Sequence, residues 1–153
     1  SVFESGDTSE PALLFEEIAA LRKIIDLNPS DSQALLMMAD ISFSQKIFKK
    51  AADFYKRYLD IEPSDKSARA AYSSALTFIG RTEEAVNELE KILTEDPKNF
   101  QARAYLAITY AHEGDNEKAL LNAREALVLS PDDEGRAKIQ SLIDSLTGPA
   151  TAR

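Results

Sequence analysis

The 153-residue sequence has no cysteine, no tryptophan and a single histidine, and it lacks any apolar run long enough to span a bilayer. Without cysteine there is neither a disulfide framework nor a thiolate metal site, so the redox compartment stays open. A lone His112 cannot form a protein-only zinc site, which needs three or four ligands. Basic residues are in the minority: 18 Lys and Arg against 26 Asp and Glu give a formal charge of -8. Nucleic acid and anionic membrane surfaces demand clustered positive charge, so this balance argues against both, and against direct membrane insertion. The one basic stretch, Lys46, Lys49, Lys50, Lys56 and Arg57, reads as the solvated face of a helix.

Catalytic arrangements are missing as well. There is no phosphate-cradling Gly-rich loop and no HExxH pair. The acidic doublets Glu16-Glu17, Glu83-Glu84 and Asp132-Asp133 stand at helix starts or on outer faces, where the helix dipole and solubility account for them. The sequence thus offers no catalytic residue, no metal site and no cofactor site, and it reads as a protein that binds rather than an enzyme.

What it has is a period. Pro29, Pro63, Pro97 and Pro131 follow one another at intervals of 34 residues, the length of a helix-turn-helix repeat. The stretch Phe100 to Pro131 shows the unit: two amphipathic helices joined at Gly114 and closed by a proline. Two residues after each proline comes Asp31, Asp65, Asn99 or Asp133, a short acceptor that caps the following helix. Small residues recur at Ala39, Ser73 and Ala107, and opposite them at Ala51, Ala85 and Ala119, where they let paired helices approach closely. The turns carry Gly80 and Gly114, suited to a left-handed helix end; the first carries Lys46, at a cost on the order of 1 kcal/mol if that conformation is kept.

Upstream, Leu14, Ile18, Leu21 and Ile25 mark the buried face of one unpaired helix, with Ser9 as its expected cap and Pro11 in its first turn. Downstream, Ala137, Ile139, Leu142, Ile143 and Leu146 mark a helix that covers the last unit's apolar face. The expected organisation is an all-α domain over residues 12–146. A half-repeat (12–31) precedes repeats 32–65, 66–99 and 100–133, and a capping helix (134–146) follows. A loose lead-in (1–11) and tail (147–153) flank the domain. The chain starts at Ser1 rather than Met, the mark of a trimmed start, so an upstream signal, anchor or domain is allowed for and cytoplasmic and periplasmic placement both stay open.

These columns resemble the tetratricopeptide repeat (TPR). The family's large aromatic in the first helix is here Leu35, Arg69 and Arg103, and its later aromatic is Tyr55, Leu89 and Ala123. The resemblance implies an α-α superhelix, a solenoid of antiparallel helix pairs whose first helices line a concave groove that holds a peptide or helix of another protein. The carboxylate clamp of chaperone-tail receptors would need Lys, Asn and Arg at Leu36, Asp40, Ser74, Gln101 and Tyr105, and none matches. The layout also resembles, without a diagnostic motif, the periplasmic repeat proteins that present apocytochrome c for haem attachment.

Projected through the register, the groove comprises Gln33, Leu36, Asp40 and Phe43, then Ser74, Thr77 and Phe78, then Gln101, Ala104, Ile108 and His112. Only Asp40 is charged, and Phe43, Phe78 and Ile108 are the expected anchors for an apolar-faced partner. The alternatives are that these residues merely pack between repeats, that the groove is filled by the chain's own Val2-Phe3, and that the protein is a self-assembling module, a homodimer through the half-repeat's apolar face around Leu14 and Ile18.

Overall fold

A computed structural model describes residues 9–148, which form eight α-helices and no strand. They divide into two compact units, one up to Pro63 and the other from Ser64 onward. The first contains α1 (Ser9–Leu27), α2 (Ser32–Ser44) and α3 (Phe48–Ile61); the second contains α4 (Lys66–Phe78), α5 (Thr82–Glu95), α6 (Phe100–Glu113), α7 (Asn116–Leu129) and α8 (Asp133–Thr147). The unpaired first helix starts at Ser9 itself, so residues 9–11 are helical rather than part of a lead-in. Val2-Phe3 and the tail from 149 onward lie outside the described residues.

The prolines set where helices stop. Leu27, Ile61, Glu95 and Leu129 each end a helix two residues before Pro29, Pro63, Pro97 or Pro131, because the residue ahead of a proline is pushed out of the helical region. The caps set where the next helices start. Asp31, Asp65 and Asn99 each accept the backbone N–H three residues on, from Ala34, Ala68 and Ala102, all at 2.9 Å. The fourth cap departs from the register: Asp132, not Asp133, accepts from Gly135 N–H at 2.7 Å. Glycine makes the shift possible, since a Cβ on Gly135 would lie 2.9 Å from Ser130 Oγ and 3.1 Å from the Phe100 ring.

Three turns join the helices within pairs, and they share one geometry. Lys46, Gly80 and Gly114 have φ of 60°, 81° and 87°. Their N–H groups donate to Phe43, Thr77 and Ala111 carbonyls at 2.9, 3.0 and 3.1 Å, and the next N–H in each case reaches back five residues, to Ser42, Leu76 and Tyr110 at 2.9 Å. That double bond pattern satisfies the last carbonyls of α2, α4 and α6 and turns the chain back on itself.

Where the paired helices meet, Ala39, Ser73, Ala107, Ala51, Ala85 and Ala119 are all fully buried. In the second unit, α6 packs on α5 and α7 and also touches α4 and α8. One cluster joins Ala70, Leu89, Ile92, Ala102 and Leu106; the other joins Ala104, Ala107, Ala123 and Ala126 to Ile139 and Ile143 of α8. In this way α8 covers the end of the second unit, and its outer positions Arg136, Gln140, Ser141 and Asp144 are exposed and polar.

Lys46 is exposed and holds a backbone conformation that glycine adopts without strain. Lys46→Gly is therefore expected to stabilise the protein by about 1 kcal/mol in chemical denaturation, while the same substitution at exposed Lys56, in the middle of α3, costs a similar amount.

Candidate functional site

On the second unit, α6 carries Gln101, Ala104, Ile108 and His112 at spacings of three and four residues, which puts them on one stripe about 16 Å long. Gln101 and His112 are exposed and Ile108 is 40% exposed. Ala104, nearly buried, forms the floor of a cleft of about 390 Å³ between α6 and α8. Phe100 and Tyr105 complete its α6 side; Gly135, Lys138 and Ile139 supply the α8 side, and Asp132 and Glu134 the rim. The rim charges are engaged locally. Asp132 caps α8, and Glu134 accepts from Lys138 Nζ at 2.6 Å. That carboxylate holds the Lys138 ammonium above its ordinary pKa, so the lysine keeps its charge and its partner. The floor of the cleft, Ala104 with Ile139, is apolar.

The α4 residues divide. Phe78 is 48% exposed, and its ring meets His112 edge-on with centroids 6.3 Å apart, so these two close one end of the stripe. Ser74 is half-buried. Thr77 points inward: it is buried, bonds Thr109 across to α6 at 2.9 Å and donates to the Ser73 carbonyl at 3.0 Å. It holds α4 to α6 and is withdrawn from any ligand.

On the first unit, Gln33 and Asp40 are exposed and Leu36 is half-buried. Asp40 accepts from the Tyr55 hydroxyl at 2.6 Å, so its charge is tied to α3. Phe43 is half-buried and lies edge-on to Phe48 at 5.3 Å and to Tyr55 at 6.5 Å. Its ring therefore serves the packing of α2 on α3 and is not a free anchor.

The α8 wall was not read from the sequence, because residues 134–146 looked only like a cap. The signal was present: Gly135 and Lys138 stand 34 residues after Gln101 and Ala104, so α8 continues the same columns. Among the described residues no group of His, Cys, Asp or Glu could hold a metal ion, and no helix is long and apolar enough to cross a membrane.

Residues 12–137 match the family model described as the cytochrome c-type biogenesis protein H TPR domain. The chain belongs to that family. Its TPR domain is 25% identical over 126 residues to the putative cytochrome c-type biogenesis protein CcmH of Haemophilus influenzae, covering 78% of this chain and 27% of that protein. It is 29% identical over 118 residues to the inactive TPR repeat-containing thioredoxin TTL3 of Arabidopsis thaliana, covering 75% of this chain and 16% of that protein. The chain thus spans little more than a quarter, or less, of these curated relatives. Among solved structures, a crystal structure of MamA protein superposes with a TM-score of 0.72 at 16% identity, covering 90% of this chain and 79% of that one. The yeast Sti1 TPR2B domain, solved in complex with pHsp70, gives 0.68 at 16% identity, covering 76% and 95%. At these identities the structures speak for the fold alone: an all-α TPR solenoid, as the 34-residue period implied.

The two phenylalanines should separate in a stability assay. Phe43→Ala is expected to cost about 2 kcal/mol in denaturant unfolding, because it breaks an aromatic cluster, whereas Phe78→Ala should cost less than about 1 kcal/mol.

Proposed function

We propose that this TPR domain is a binding module of cytochrome c biogenesis that holds an apolar-faced helix or extended segment of another protein on the α6 stripe, with one large side chain seated in the α6/α8 cleft. The observation that carries this reading is the cleft itself. It joins an apolar floor to an exposed Ile108, and every charge at its rim is already satisfied within α8. A concave site with a desolvated apolar floor is where binding energy concentrates.

The family description and the Haemophilus relative support the pathway, and the Sti1 domain with pHsp70 is a case of this fold in complex with another protein. The present chain does so on different terms. Leu36, Asp40, Ser74, Gln101 and Tyr105 stand where a carboxylate clamp would need cations and amides, so recognition rests on apolar contact rather than a chain terminus. TPR domains are helical repeat scaffolds, and the role read here is to hold a segment for chemistry performed by another protein.

The test is fluorescence anisotropy with labelled peptides tiled along an apocytochrome c. One or more peptides should bind, with affinity changing less than about threefold as salt is raised, because few charges take part. Ile108→Glu, at an exposed position that leaves the helix intact, should abolish binding with an unchanged circular dichroism spectrum. Retained binding in that variant would place the ligand elsewhere.

A further inference from the structure

The first helix has more apolar surface than its neighbour covers. At about 100° per residue, Leu14, Ile18, Leu21 and Ile25 lie within one arc of about 60°, and the last two are buried, with α2 the neighbour that α1 packs on. Leu13, Ala20, Ile24 and Leu27 lie within a second such arc, about 120° away, and all four are exposed, Leu13 by 60% and Leu27 by 82%. So the more exposed face is this second stripe, while Leu14 and Ile18 are half-buried. Its spacing of seven, four and three residues is that of a coiled-coil seam.

From this stripe we infer that α1 pairs antiparallel with α1 of a second copy of the chain, about a two-fold axis through Ala20. In that orientation the stripe matches itself at three of its four positions, and Ile24 stands level with Glu16 of the second copy. A two-fold at residue 20 sets Leu13 against Leu27 of the second copy and Ala20 against itself, so the smallest side chain stands where the helices cross. Glu16 and Lys23 fall on the same flank of the stripe. Antiparallel pairing brings equal flanks together, so Glu16 of each copy stands beside Lys23 of the other, within about one residue's rise along the axis. A parallel pair would instead bring opposite flanks together and set Glu16 of each copy beside Glu17 of the other. An isologous contact through α1 closes at two copies rather than growing into a filament. This pairing stands independently of the peptide-binding reading, because α1 carries none of the stripe or cleft residues.

Light scattering and sedimentation on the full chain over a wide concentration range test it. The mass should rise from one chain towards two and no further. Glu16→Lys and Lys23→Glu should each weaken association by about tenfold, by setting like charges together, and the double variant carrying both changes should restore it. Leu27→Glu should leave a monomer with unchanged helicity, while Leu121→Glu, at a comparably exposed position on α7, should change nothing. A wild-type chain that stays monomeric throughout overturns the inference, whatever else covers α1. A dimer that the double charge reversal fails to restore overturns the antiparallel register.

Discussion

Close approach within each helix pair is the constraint on which everything else rests. Ala39, Ser73 and Ala107 on the first helices, and Ala51, Ala85 and Ala119 on the second, have no exposed surface, and a larger side chain at any of them would push two helix axes apart. The three left-handed turns at Lys46, Gly80 and Gly114 deliver the helices to that contact with the same bond pattern each time. Once the spacing is fixed, neighbouring positions can change chemistry. At one pair of columns the first repeat has Leu35 and Phe54, the second an Arg69–Glu88 ion pair, and the third Arg103, which reaches Asn122 Oδ1 at 3.3 Å and has its Nε 3.0 Å from Glu125 without the alignment of a hydrogen bond. The Arg69–Glu88 carboxylate also accepts from Lys91 at 2.7 Å, so a largely buried guanidinium is met by a carboxylate that is itself supported.

The fold was legible because its signals are local and repeat. A proline, a cap and a turn glycine each act through the backbone within a few residues, and a 34-residue period multiplies the evidence. Even Lys46, which breaks the glycine pattern, keeps the turn, since the bonds from Lys46 and Ile47 and the packing of α2 on α3 outweigh the local strain. The last cap was misplaced by one residue for a tertiary reason: Gly135 lets the start of α8 draw close to Phe100 and Ser130, and no pattern within α8 announces that.

The site was legible in part. Column projection put Gln101, Ala104, Ile108 and His112 on one stripe, and Phe78, one period before His112, meets its ring. It failed where a side chain could choose between two neighbours. Thr77 turned to Thr109, and Phe43 turned to Phe48 and Tyr55, choices set by three-dimensional packing rather than by spacing. The more exposed stripe of α1 was not legible for a related reason. Its helix is apolar over nearly half its circumference, and only the position of α2 decides which part is covered.

A partner held on α6 and α8 should leave a signature that no other face of the domain could mimic. The most direct measurement is amide chemical-shift mapping on isotope-labelled domain titrated with a binding apocytochrome c peptide. The account predicts that shifts concentrate at Gln101, Tyr105, Ile108, His112 and Lys138, with the backs of α5 and α7 silent. Shifts centred on the exposed Leu121 and Val128 of α7, with the α6/α8 cleft unperturbed, would contradict it.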